Sequence, residues 1–214
     1  MATSSSRHAH WDDVYRRPTE DLGWYEPEPS TLELVRRYSN PDTGVIDIGG
    51  GDSSLPVALL ELGYRDITVL DISAVATERA RCRLGSKEEQ VDWITADVTD
   101  WQPSRTWDLW HDRAVFHFLT GPEERDAYLA TAERALGNDG VIIVATFSEH
   151  GPERCAGLPV ERYDAAKLAE TFAPRFQPIE VLILTPPRDD IGDQRPYLAG
   201  VFSPQRSRRS HRSR

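Results

Sequence analysis

From Gly44 onward the chain alternates short apolar runs with stretches whose apolar residues recur at helical spacing. GVIDI (44–48) and DITVLDI (66–72) read as the first two strands, VDWITAD (91–97) and WDLWHD (107–112) as the third and fourth. GVIIVATF (140–147) is the strongest strand signal of all. Between them, LPVALLELG (55–63) has helical spacing and stops at a glycine. SAVATERARCRLG (73–85) reads as a helix with Ser73 as its N-cap. PEERDAYLATAERALG (122–137) places acids in its first turn and glycine at its end, and DAAKLAETF (164–172) is a further helix. IEVLILT (179–185) and YLAGVFS (197–203) are two last strands with no helix between them. Strand and helix in alternation with short connections predict an α/β fold, a doubly wound and mostly parallel seven-stranded sheet. The last two strands are expected to pair as an antiparallel hairpin at the sheet edge, joined irregularly through Pro186, Pro187 and Pro196.

Length agrees with that picture: 214 residues with 39% hydrophobic content suffice for one full core. The expected organisation is an N-terminal lid or helical segment (1–40), the main domain (41–202) and a disordered basic tail (203–214). Five of the 25 basic residues lie in that tail, which has no acid. The rest of the chain sets 20 basic against 35 acidic residues, a balance that repels nucleic acid. The absence of a long apolar stretch predicts no membrane span, and the polar start MATSSSRHAH predicts a cytoplasmic protein. Cys82 and Cys155 imply no disulfide framework. His8 and His10 lack carboxylate neighbours at ligand spacing, so no metal is expected.

The candidate chemistry begins at VIDIGGGDS (45–53), where the first strand turns into the first helix at the ligand-binding edge of such sheets. A dinucleotide fingerprint G-x-G-x-x-G fails here, because the sixth position from Gly49 is Ser54, and no phosphate loop is present. Asp47 precedes the glycines, Asp71 ends the second strand, and Asp97 ends the third. A carboxylate after the second strand suits a ribose diol, whose hydroxyls both donate.

With acids at these three strand ends and DIGGGDS at the turn, the chain resembles the class I S-adenosylmethionine-dependent methyltransferases from about Val45 to Phe147. The family pattern D/E-x-G-x-G-x-G departs at Ser53. A G-x-G-x-S version occurs in a subgroup that includes elongation-factor lysine methyltransferases, which HWDDVYRRPTEDLGWY (10–25) also resembles. The resemblance implies a Rossmann-like methyltransferase fold and S-adenosyl-L-methionine as cofactor. It places Asp47 on the methionine amino group and Gly49, Gly50 and Gly51 beneath the cofactor. Asp71 falls on the ribose hydroxyls, Ile72 on an adenine face, and Asp97 with the Val98 backbone on the adenine amino group. Local alternatives are that Asp71 caps the helix at Ser73 and that Asp97 steadies the turn before Trp101. Family members commonly fold the N-terminal segment over the cofactor. Trp11, Tyr15 and Trp24 then either stack on the sulfonium or anchor the segment by burial. WHDRAVFHFLT (110–120) follows the fourth strand, making His111 and Asp112 candidates for the transfer channel. His150 after the fifth strand is a candidate base, whereas His117, among phenylalanines, reads as packed core. The expected activity is methyl transfer to oxygen or nitrogen of a small-molecule acceptor. A protein lysine methyltransferase and a non-catalytic cofactor-binding partner subunit are the alternatives.

Overall fold

A computed structural model describes residues 4–19, 22–184 and 196–205. Its nine strands and six α-helices run in chain order α1 (Ser4–Val14), α2 (Leu32–Tyr38), β1 (Val45–Ile48), α3 (Leu55–Glu61), β2 (Ile67–Asp71), α4 (Ala74–Leu84), β3 (Val91–Thr95), β4 (Trp107–Arg113), α5 (Pro122–Ala135), β5 (Leu136–Phe147), β6 (Arg154–Cys155), β7 (Leu158–Pro159), α6 (Ala165–Phe172), β8 (Phe176–Leu184) and β9 (Tyr197–Pro204). Seven strands form one sheet in the order β3-β2-β1-β4-β5-β9-β8, and β6 and β7 form a small separate hairpin. The first five are parallel neighbours; β9 runs antiparallel to both β5 and β8.

The period of two along the central strands builds two cores, one on each sheet face. Ile46, Trp110, Ile142, Val144 and Phe202 pack on one face with Tyr128 and Leu129 of α5 and with Leu168 and Phe172 of α6. Val45, Leu109, Ile143, Ala145 and Val201 pack on the other with Leu34 and Val35 of α2 and with Leu55 and Leu59 of α3. The central strands β1, β4, β5 and β9 thus bury both faces over most of their length, which is why these segments read as nearly unbroken apolar runs. The helix starts follow local chemistry: the Ser73 hydroxyl accepts from the Ala76 amide at 3.1 Å, and Asp164 accepts from the Lys167 amide at 2.8 Å.

The last two strands pair antiparallel at the sheet edge, as expected. β9 inserts between β5 and β8, so β8 is the edge strand and the chain's last strand lies inside the sheet. Insertion matches burial: Tyr197 to Phe202 are all buried, whereas Ile179 and Ile183 on β8 are exposed. Pro186 and Pro187 lie outside the described residues. The sequence reading also overran β3, which stops at Thr95 and leaves Asp97 in the following turn. α5 ends at Ala135, and β5 starts at Leu136, four residues before the expected strand.

His8 and His10 sit within α1, an element the sequence analysis placed only as part of a lid segment. Among the described residues, no helix is long and apolar enough to cross a membrane, and no group of three or more metal-ligating side chains is found.

β9 also reaches into the segment assigned to the tail. Ser203 pairs with Gln177 and Pro204 with Phe176, and the Gln205 amide donates to the Arg175 carbonyl at 2.8 Å. Removal of residues 206–214 is therefore expected to change stability by less than about 0.5 kcal/mol, as for surface changes. Removal from Ser203 onward should cost about 1–2 kcal/mol, because it cuts the strand. Chemical denaturation of the two truncations checks this.

Candidate functional site

A cavity of about 570 Å³ opens at the carboxyl ends of β1, β2 and β4. Its floor includes Asp47, Gly49, Gly50, Asp71 and His111; Ile72, Asp97 and Val98 line one end, and Trp11, Tyr15 and Trp24 contribute aromatic walls.

Asp47 and His111 are directly paired residues on neighbouring strands β1 and β4. Both are 2% exposed, and Asp47 Oδ1 lies 2.6 Å from His111 Nδ1. The other ring nitrogen, Nε2, lies 2.9 Å from the Thr31 hydroxyl. Asp47 Oδ2 is buried with no hydrogen-bond partner among the described residues.

The three glycines make room for the protein's own side chains. Gly49 has φ +68°, and a Cβ there would stand 2.1 Å from Val115 Cγ2. A Cβ on Gly50 would fall 2.3 Å from Asp47 Oδ2, and one on Gly51 2.6 Å from the Ala76 Cβ and 2.7 Å from Asp71 Oδ2. Any side chain at 50 or 51 would displace the two carboxylates that face the turn. Gly51 itself does not line the cavity.

Asp71 accepts from the Gly51 amide at 2.9 Å and from the Ser73 amide at 2.7 Å, tying the glycine turn to the end of β2. Burial pushes its carboxyl up to about 6; the two amides oppose this, and the nearby charges of Asp47 and Asp12 add to it. Helix α4 is capped by Ser73, so Asp71 keeps acceptor capacity towards the cavity. Asp97 is held below the usual carboxylate range. Partial burial raises it, but the Thr99 hydroxyl and amide and the Arg7 guanidinium outweigh that effect. Arg7 of α1 reaches Asp97 at 2.7 Å and Glu124 of α5 at 2.6 Å, pinning the N-terminal helix across this end.

The aromatic residues both line the cavity and pack on one another. Trp11 meets Tyr15 at 6.0 Å, Trp24 at 6.4 Å and Phe118 at 4.9 Å between ring centroids. Asp12 completes the attachment of α1, accepting from the Ser73 hydroxyl at 2.7 Å.

Asp112 and His150 fall elsewhere. Asp112 points to the opposite face of β4 from His111, wholly buried and outside the cavity lining. It accepts from the Val115 amide at 2.8 Å, the Phe116 amide at 3.1 Å and the Tyr128 hydroxyl at 2.6 Å, and that hydroxyl accepts from Trp110 Nε1. These bonds fix the turn in which Ala114 takes φ +71°. His150 is 82% exposed on a loop away from the cavity. His117 is fully buried, with burial and the nearby Arg113 pushing its imidazole down to about 3.

A family profile described as a methyltransferase domain matches residues 45–140, the segment that carries β1 to β4 and the cavity floor. The fold is shared with a Burkholderia thailandensis 1,6-didemethyltoxoflavin-N1-methyltransferase solved with S-adenosylhomocysteine, at a TM-score of 0.70 over 96% of this chain and 92% of that one, with 22% identity. Residues 45–140 thus carry the pattern of a methyltransferase domain, on the fold of S-adenosylmethionine-dependent class I methyltransferases. Among curated methyltransferases, the chain is 26% identical over 136 residues to the mouse eEF1A lysine and N-terminal methyltransferase, covering 63% of this chain and 19% of the relative. It is 31% identical over 145 residues to a trans-aconitate 2-methyltransferase of Rhizobium etli, covering 67% of this chain and 50% of the relative. The chain thus spans about a fifth of the first relative and half of the second.

The residues present fit S-adenosylmethionine on their own geometry: an orphaned buried carboxylate oxygen at Asp47, a turn with no room for a Cβ, and a second buried carboxylate at Asp71. Thr31, Arg7, Glu124 and Arg113 also belong to or buttress the site, and the sequence reading passed over all four. Arg113 directly follows the two singled-out residues of β4. Thr31 and Arg7 act on partners 80 and 90 residues away, a relation that no local spacing reveals.

Replacing Asp112 by alanine orphans two amides and a tyrosine hydroxyl in the interior, so a loss of about 3 kcal/mol in stability is expected. His150→Ala should leave stability within about 0.5 kcal/mol of the parent and cofactor affinity unchanged. Thermal melts and calorimetric titration with S-adenosylhomocysteine check both.

Proposed function

We propose that the chain transfers the methyl group of S-adenosylmethionine to an oxygen or nitrogen of a small acceptor molecule. The observation that carries this reading is the cavity itself, with buried carboxylates Asp47 and Asp71 in its floor and aromatic side chains of the N-terminal segment in its walls. Its volume of about 570 Å³ falls within the usual range of small-ligand sites and suits a cofactor with a modest partner. The α1 helix and the β6–β7 hairpin both contribute to the lining, which supports an enclosed acceptor over an extended polypeptide.

Asp47 would hold the cofactor's ammonium and Asp71 its ribose hydroxyls, with Gly49, Gly50 and Gly51 shaping the turn between them. Ile72 would cover an adenine face, and Asp97, beside the Val98 backbone, would accept from the adenine amino group while still bonded to Arg7. When bound, the cofactor supplies a methyl group already activated by positively charged sulfur. The chain's own contribution is then positioning and exclusion of water. Trp11, Tyr15 and Trp24 offer ring faces or edges to a cationic ligand and close the site with apolar surface. Burial pushes the Tyr15 hydroxyl well above its ordinary range, with the Asp71 charge adding to the effect, so it stays a neutral donor.

Methyl-labelled S-adenosylmethionine incubated with the protein and fractionated cell extract tests the acceptor class. Label should enter small metabolites. Label confined to protein would replace the small acceptor by a polypeptide, and label in neither fraction would make the chain a binding module.

Asp71 gives a pH signature. Its carboxyl, raised to about 6, takes up a proton as the pH falls through that value. The ionised acceptor suited to two ribose hydroxyls is then lost, so S-adenosylhomocysteine affinity should fall below about pH 6, by up to tenfold per unit. Asp71→Asn should weaken binding at neutral pH by about 1.5–3 kcal/mol and abolish that dependence. Calorimetric titrations between pH 5 and 8 measure it.

A further inference from the structure

Both nitrogens of His111 are spent inside the protein. Nδ1 lies 2.6 Å from Asp47 Oδ1, and Nε2 lies 2.9 Å from Thr31 Oγ1, with Thr31 completely buried at the start of α2. Asp47 as a carboxylate accepts only, so Nδ1 carries a proton and donates. On a neutral ring Nε2 is then bare and accepts the Thr31 O–H, a hydroxyl with no other partner among the described residues. On a doubly protonated ring, Nε2–H would face the threonine oxygen and leave the hydroxyl proton buried without an acceptor, at a cost of about 1–3 kcal/mol. The proton order is therefore Thr31 O–H to Nε2, then Nδ1–H to Asp47.

This chain of two bonds ends on a buried carboxylate whose second oxygen has no partner among the described residues. Asp47 Oδ1 is taken by His111, and Oδ2 lies folded over Gly50, in the space a Cβ there would occupy. An ammonium is the natural complement of a buried, unpartnered carboxylate oxygen.

We infer that Thr31 and His111 are positioning residues that fix the rotamer of Asp47 so that Oδ2 meets the ammonium of the cofactor's amino-acid portion, and that His111 is not the base that deprotonates the acceptor. The inference rests on the cofactor reading above and adds the residues that act on its amino-acid end. A base role for His111, a candidate for the transfer channel, would need a free ring nitrogen towards the acceptor, and Nε2 points to Thr31 instead.

The test separates the two ends of the cofactor. S-adenosylhomocysteine carries the amino-acid group, whereas methylthioadenosine has the same nucleoside and thioether without it. Calorimetric titration of both ligands is made on the parent, Thr31→Val, His111→Leu and His111→Asn, with thermal melts to confirm folding. Thr31→Val keeps the side-chain shape and removes the hydroxyl, so it is the variant least prone to misfold. Its affinity for S-adenosylhomocysteine should fall about tenfold, the scale of one buried hydrogen bond, while methylthioadenosine affinity stays within about twofold. His111→Asn, whose amide nitrogen can stand where Nδ1 stood, should bind S-adenosylhomocysteine more tightly than His111→Leu. Equal losses for both ligands, or no loss for either, would overturn the positioning role while leaving the cofactor reading intact. A parent protein that binds neither ligand would overturn the cofactor reading and this inference together.

Discussion

The contact between Asp47 and His111 governs the architecture of the site. Two ionisable side chains from adjacent parallel strands meet at 2.6 Å where almost no water reaches. A pair so buried is tolerable only when its remaining polar atoms find partners. Thr31 satisfies one side of it. The unpartnered oxygen of Asp47 is the other side, and the chain keeps glycine next to it because any Cβ at Gly50 would strike that carboxylate. The glycine turn is thus shaped as much by the protein's own acids and by Val115 as by a ligand. Gly49 yields to Val115, Gly50 to Asp47, and Gly51 to Asp71 and Ala76.

From that pair the remaining parts follow outward. The sheet holds Asp47 and His111 in register through strands whose alternate residues fill two separate cores. Asp71 anchors the turn to β2 from the other side. The N-terminal segment attaches through polar ties, Arg7 to Asp97 and Glu124 and Asp12 to Ser73, and through Val14, Tyr15 and Leu22, which pack with Ala76 of α4. Its aromatic residues then pack on one another and on Phe118 above the floor.

The central strands and most helices were legible because burial on both faces leaves an unambiguous apolar run. The sheet order at the carboxyl-terminal end was not, since which of β8 and β9 lies against β5 is a tertiary choice and the two strands read alike. α1 was hard to see as a helix because SSSRHAHWDDV carries no apolar stripe; its stability comes from the body it lies on. Within the site, the three acids at strand ends were readable from spacing, and all three line the cavity. The pairing of His111 with Asp112 as joint candidates ignored the alternation of a strand. Neighbouring side chains point to opposite faces, so at most one of them could reach the cavity. Leu109 and Trp110 already divide between the two cores, and His111 and Asp112 continue that division. His150 had no such pattern to guide it and lies on an exposed loop.

A crystal structure of the complex with S-adenosylhomocysteine addresses the central claim most directly. The account predicts the ligand in this cavity, with its ribose hydroxyls within hydrogen-bond distance of Asp71 and its ammonium on Asp47 Oδ2. A ligand bound elsewhere on the protein, or seated in the cavity with neither carboxylate in contact, would contradict it.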